Sequence, residues 1–372
     1  MKIHYYCLIV CGFLFFSCSE TKCGELLTIP VDINQNTPLA LSEITESIIA
    51  IELELTDESM IGGSVGRIII SEDYVIVAEL NQILVFNKDG NFVRSIGRRG
   101  QGPGSFNYIA NIAIDTKNER LFVLSLQPRK IISYDLNGNF LNEKIILSTL
   151  LHDINYVDNK LILAGRRSQL IRSAENKSFI YSFLYRFDSN LQFIDSQNIR
   201  KAYFRNPRAF VTMFFCASTY IMAGAEATYF YMSEYTTRQM NPTEVLLRDT
   251  LFRLEGNQLV PELRLRFRND GIDRSGNKFI ELRHISRSSR YVFSTYRNKL
   301  TGNIYQFVFD TKTGKGYNMR DGFIDDINNT EGRVIIRPLN TNSEMFLFRR
   351  THMHPDDFEE PNPTLYVGRL RR

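Results

Sequence analysis

Five segments of this 372-residue chain set an aromatic residue at the mouth of a tight turn and follow the turn with a second apolar run. The clearest copies are Phe86-Asn87-Lys88-Asp89-Gly90-Asn91-Phe92 and Tyr134-Asp135-Leu136-Asn137-Gly138-Asn139-Phe140. A degenerate copy runs from Phe187 to Phe193, and two more start at Phe252 and Phe309. The lead aromatics are therefore 48, 53, 65 and 57 residues apart. Asn, Asp and Gly supply the turn chemistry, and the flanking aromatics suit paired strands. A hairpin repeated at this spacing implies one supersecondary unit copied around a closed array, and four-stranded propeller blades have about this period. The predicted fold is all-β: a six-bladed β-propeller of four-stranded antiparallel blades.

The runs between the turns divide accordingly. Blade one is expected from Gly66 to Ile96 and blade two from Ile112 to Ile146. Blade three spans roughly Ile154 to Ile199 with a long insert around Ser168 to Phe179, and blade four spans Arg208 to Leu265 with an irregular stretch from Ala223 to Pro242. Blade five covers Ile285 to Gly322 and blade six Gly332 to Leu370. The strand-like run Ile48 to Leu55 has no hairpin partner of its own. It is expected to complete blade six, because joining the two termini in one blade keeps the first and last blades from separating. The propeller thus takes residues 48–372, about 54 per blade.

The amino terminus reads as a processing segment. Lys2 precedes an apolar stretch from Tyr5 to Phe16 that ends at Ser17-Cys18. That length suits a signal-peptide core and is short for a membrane span. A small residue before Cys18 resembles the lipobox of bacterial lipoproteins, with Phe15 and Phe16 in place of its more usual Leu and small residues. The resemblance implies a signal peptide over 1–17, acylation of Cys18 and a lipidated tether over 18–47. A protein held this way sits on a bilayer through lipid. Glu20 resembles the acidic signals that carry some Gram-negative lipoproteins to the cell surface. Besides Cys18, only Cys23 and Cys216 would remain after cleavage, too few for a disulfide framework.

Charge narrows the partners. Lys and Arg number 45 against 41 Asp and Glu, for a net +4, and the signs are mixed along the chain. Nucleic acid binding needs clustered cations, so it is not expected. The alternating Arg264-Arg266-Arg268 reads as the wet face of a strand.

Gly97-Arg98-Arg99-Gly100-Gln101-Gly102-Pro103-Gly104 is the most distinctive stretch. Its order matches neither GxGxxG nor GxxxxGK[ST], and no helical pattern follows, so it reads as a structural loop between blades. It closely resembles the GxxGxGPGE-type signature of lipid-anchored six-bladed propellers, NHL-repeat-like and TolB-like, of carbohydrate-foraging Gram-negative bacteria. Ser105 stands where that family usually has an acidic residue. Asp249-Thr250-Leu251-Phe252-Arg253-Leu254 with Pro261, and Asn362-Pro363-Thr364-Leu365-Tyr366-Val367, resemble two further family strands. The resemblance implies fold and an outer-membrane location, periplasmic or surface-facing, and says almost nothing of activity.

Candidate chemistry is sparse. His352, His354 and Asp356 could form a metal site, since residues two apart on a strand share a face. Pro355 and the acidic run to Glu360 make a solvated loop the simpler reading. His152 and His284 stand alone. Asp325-Asp326 lacks the ligand alternation of a calcium loop, and there is no GxSxG elbow. Tyr220 to Tyr235 is rich in aromatics and would suit either core or sugar stacking. The function expected is binding or scaffolding for a glycan, peptide or membrane-protein partner, with no cofactor. The alternatives are a divalent-metal hydrolase or lactonase with its site in the central channel, and a structural partner of a transport complex.

Overall fold

The structure is a computed structural model and describes residues 26–62, 65–146, 150–171, 177–204, 221–224, 226–232, 249–267, 279–327, 332–351 and 361–372. It is a six-bladed β-propeller with a single short helix, Leu41–Ile44, among the described residues. No described helix is long and apolar enough to cross a membrane.

Each blade is an antiparallel sheet whose strands pair in chain order. Blade 1 comprises Val65–Ile70, Tyr74–Glu79, Ile83–Asn87 and Phe92–Ser95. Blade 2 comprises Tyr108–Asp115, Arg120–Gln127, Arg129–Asp135 and Phe140–Ile145. Blade 3 is built from Leu150–Val157, Lys160–Ile171, Lys177–Phe187 and Phe193–Phe204. Blade 4 contains Ile221–Ala223, Thr228–Phe230, Thr250–Glu255 and Gln258–Phe267, and blade 5 contains Ile280–Arg287, Tyr291–Asn298, Ile304–Asp310 and Lys315–Arg320. Blade 6 pairs Arg337–Pro338, Met345–Arg350 and Thr364–Leu370 with Thr45–Glu52 as its outermost strand. The early strand therefore closes the ring, with Ile49 opposite Val367.

All five aromatic turns join the third and fourth strands of a blade. In the first three the two aromatics meet edge to face: Phe86–Phe92 at 5.8 Å, Tyr134–Phe140 at 6.4 Å and Phe187–Phe193 at 5.7 Å between centroids. The leading polar residue caps the turn; Asn87 Oδ1, for example, accepts from the amides of Asp89 and Asn91 at 3.0 and 2.9 Å. In blade 4 the turn is displaced to Glu255–Gln258, and Phe252 lies opposite Pro261 instead of at the turn.

Two expectations need correction. The segment assigned to a tether over 18–47 is structured from Leu27 onward. Leu27–Val31 adds to the outer edge of blade 4 as a parallel fifth strand, with Ile29 opposite Leu265 and both Ile29 and Val31 buried in the core shared by blades 4 and 5. Pro30, which has no amide to give a ladder, sits exposed on this edge strand, where proline is tolerated. The chain then follows the rim: the Thr37 amide donates to Asn318 O at 2.8 Å, the Ile324 amide to Leu39 O at 3.0 Å, and Leu41 and Ile44 are buried against blade 6. Residues 27–52 thus strap the outer edges of three blades together. The described part of the long insert expected around Ser168 to Phe179 instead continues the strands of blade 3, paired from Leu161↔Phe187 to Ile171↔Lys177; residues 172–176 lie outside the described residues.

The alternation predicted at the arginine run holds for its described part. Leu263, Leu265 and Phe267 are buried while Arg264 and Arg266 are exposed.

Candidate functional site

The first strands of blades 1, 2, 3 and 4 adjoin one another in turn, and polar side chains link them. Asp153, in the first strand of blade 3, accepts from Asn111 Nδ2 of blade 2 at 2.7 Å and from the Ile221 amide of blade 4 at 3.1 Å. Arg67 of blade 1 pairs with Asp153 at 3.4 Å and also donates to Asn111 Oδ1 at 3.1 Å and Ile154 O at 3.0 Å. Both charged side chains are almost fully buried, 6% and 1% exposed. Burial pushes the Arg67 pKa below its usual range and the Asp153 charge offsets part of that. Asn155 Nδ2 continues the ring, reaching Ile221 O at 3.2 Å and Asn340 O at 3.4 Å near blade 6. A buried polar network of this kind fixes the blades in one relative arrangement provided its members are satisfied.

Blade 6 has the shortest first strand among the described residues. It is two residues long, Arg337–Pro338, against three in blade 4, six in blade 1 and eight in blades 2, 3 and 5. It pairs with Leu347 and Phe346 only, so one edge of Phe348–Arg350 has no partner strand among the described residues. The gap is a cavity of about 450 Å³ between blade 6 and the first strand of blade 1. Five arginines line it, Arg67, Arg333, Arg337, Arg349 and Arg350, and no Asp or Glu does among the described residues. Arg350 Nη2 holds Asp325 at 2.7 Å, and Arg333 Nη1 donates to Gly322 O at 3.1 Å. Arg337 is hemmed in by protein yet still presents surface to the cavity. Burial, then the like charges of Arg349 and Arg283, push its pKa below the usual arginine range. Arg67 Nη2 and Arg350 Nε are buried without a hydrogen-bond partner.

The residues singled out from sequence are dispersed. Cys18, and the metal candidates His352, His354 and Asp356, lie outside the described residues, as do Cys23 and Cys216. Among the described residues no group of three or more His, Cys, Asp and Glu is placed to hold a metal ion. The neighbours Asp325 and Asp326 are turned to different partners. Asp325 binds Arg350, whereas Asp326 accepts from the Ser42 amide at 3.0 Å on the outer rim. His152 and His284 are enclosed and held neutral, each with its pKa lowered to about 3; burial is the main cause, aided by Arg166 and Arg337 respectively. In the aromatic stretch, Tyr229, Phe230, Tyr231 and Met232 are core residues, while Tyr220 and Tyr235 lie outside the described residues.

The glycine-rich loop packs on blade 2. Arg98–Arg99 runs parallel to Ser105–Phe106, and Lys130 Nζ reaches both Gly102 O at 3.0 Å and Glu143 Oε2 at 2.8 Å. Glu143 also accepts from the Gly104 amide at 2.9 Å; burial opposes its ionisation, but these hydrogen bonds and the Lys130 charge bring its pKa below the usual carboxylate range. Gly97 and Gly104 have φ of +72° and +61°, and a Cβ at either would collide with an aromatic ring, Phe106 at 2.6 Å or Phe140 at 2.8 Å. Pro103 sits in the turn closed by the Ser105 amide on Gly102 O at 3.1 Å.

Residues 26–360 match the model of a family described as a domain of unknown function, DUF4934. No curated protein matches the chain. Among solved structures, a candidate exported protein of Bacteroides fragilis NCTC 9343 superposes with a TM-score of 0.64 at 16% identity, covering 93% of this chain and 100% of its own. A member of the duf4221 family from Bacteroides vulgatus ATCC 8482 gives a TM-score of 0.49 at 9% identity, over 88% of this chain and 97% of its own.

Proposed function

The chain belongs to the DUF4934 family, and on that premise we propose that it is an exported, lipid-anchored binding or scaffolding module of the cell envelope. The observation that carries the reading is the cavity at the short first strand of blade 6, about 450 Å³ and walled by two blades of a ring strapped on its outside. Pockets of this size on a rigid frame are typical of small-ligand sites. Three kinds of partner fit a ring of this sort: a glycan, a peptide or a membrane protein. Export is supported by the apolar segment before Cys18 and by the fold shared with a candidate exported protein. Acylation of Cys18 would hold the ring on the outer membrane, facing the periplasm or the cell surface.

The test has two parts. Radiolabelled palmitate is expected to label the wild-type chain and not a Cys18→Ser variant, which should leave the membrane fraction. The released variant is then titrated calorimetrically against soluble glycans and peptides. Saturable binding without turnover supports the proposal. Metal-dependent hydrolysis of an ester or lactone would overturn it in favour of a channel hydrolase.

A further inference from the structure

The cavity has a chemical preference that its place in the fold does not by itself supply. We propose that it binds an oxyanion-bearing ligand of one or two sugar-sized units, with Arg337 and Arg349 as the principal contacts; the proposal rests on the binding reading above and names its ligand class.

Three observations converge on this. The first is charge. Of the five lining arginines, two are matched by carboxylates outside the lining, Arg67 by Asp153 and Arg350 by Asp325. Arg333, Arg337 and Arg349 have no carboxylate partner among the described residues. Guanidinium groups gathered without counter-charge among the described residues repel one another, and the like charge of Arg349 adds to burial, the larger cause, in lowering the Arg337 pKa. Natural proteins tolerate such destabilising arrangements chiefly at functional sites.

The second observation is unsatisfied donors. Arg67 Nη2 and Arg350 Nε are buried and unpartnered, and Arg67 is nine-tenths buried. A buried donor without a partner costs about 1–3 kcal/mol; these two atoms are closed off from the cavity itself, so they mark its wall as under-satisfied and leave ligand contact to the exposed guanidiniums of Arg337 and Arg349. The third is shape. Each guanidinium is a planar fork matched to carboxylate, sulfate or phosphate oxygens. Leu347, Phe348 and Pro338 add an apolar wall, which a sugar or similar carbon skeleton can cover while its acid group meets the forks. The cavity volume accommodates a ligand of that size.

The experiment uses the full mature chain carrying Cys18→Ser and four probes: a galacturonate disaccharide, a sulfated disaccharide, a neutral disaccharide and inorganic phosphate. The acidic disaccharides are expected to bind at least tenfold more tightly than the neutral one, with affinity falling as salt is raised. Inorganic phosphate binding as tightly as the acidic sugars would support the same chemistry with a free anion as its source. Arg337→Ala and Arg349→Ala are each expected to weaken binding at least tenfold, while Arg337→Lys retains part of it. The Arg337→Ala melting temperature should be unchanged or higher, because a repulsion has been removed. A residue whose role is only structural would give the opposite sign. Equal binding of neutral and acidic sugars, undisturbed by either substitution, overturns the anion inference and leaves the binding module standing. Failure of every probe to bind overturns the anion inference, and if glycans and peptides also fail in calorimetry the wider reading falls with it.

Discussion

Replacing Asp153 with alanine removes the acceptor on which blades 1, 2, 3 and 4 converge. Its carboxylate takes hydrogen bonds from Asn111 Nδ2, the Ile154 and Ile221 amides and Arg67 Nη1, at 2.7, 3.0, 3.1 and 3.4 Å. Without it, the Arg67 guanidinium stays buried with no counter-charge, and breaking a buried pair from one side costs about 3–5 kcal/mol. The orphaned amides would cost more if counted separately, but they share one site and relax together, so about 4 kcal/mol is the expected total. Unfolding entropy for a ring of this length is roughly 0.7 kcal/mol/K, which makes the loss about 6 °C in melting temperature. Calorimetric melts of Asp153→Ala, Asp153→Asn and the double variant Arg67→Met/Asp153→Leu provide the assay. Asparagine keeps an acceptor and should lose less than alanine. The double variant should recover most of the loss, because the uncompensated charge is gone. A melt of Asp153→Ala within about 1 °C of wild type, or a double variant worse than either single change, would refute this view of the blade junctions.

Other consequences are testable in the same way. His152 and His284 are neutral in the fold with pKa values of about 3, against 6.5 when unfolded. Their contribution is whole above pH 6.5 and is lost as pH falls toward 3, at about 1.4 kcal/mol per histidine on going from pH 7.5 to 5.5; His284→Gln should flatten the decline of melting temperature with acid. Gly104→Ala forces a methyl group at φ +61° against the Phe140 ring and should cost about 2 kcal/mol, whereas Gly102→Ala meets nothing within 4 Å and should cost almost nothing. Ile29→Ala, in the strand added to blade 4, removes a side chain that is 1% exposed. It should destabilise the ring by about 2–4 kcal/mol, where a mere tether would leave the melt unchanged.

The sequence revealed whatever is local. Phe86 and Phe92, or Tyr134 and Phe140, announce a hairpin because turn and aromatic pair lie within seven residues of each other. Thr45–Glu52 was legible as the closing strand because its alternation had no neighbouring partner. Leu27–Val31 was not: a parallel strand laid on a blade edge needs no hairpin, and Pro30 disguises its alternation. The arginine-lined cavity was still less accessible. Arg67 and Arg349 are 282 positions apart, and only closure of the ring brings blade 6 beside blade 1. Nor does any local signal foretell that the first strand of blade 6 stops after two residues. Single arginines in strands read as wet faces, and Arg264 and Arg266 are that. Arg337 and Arg349 differ only in what the ring places around them.

Hydrogen–deuterium exchange on the mature chain carrying Cys18→Ser, with and without the acidic disaccharide at saturation, tests the central claim most directly. Anion binding in the cavity predicts slowed exchange confined to residues 65–68, 333–340 and 347–350, and no such change with the neutral disaccharide. Protection elsewhere on the ring, or none at concentrations where binding is saturated, would contradict it.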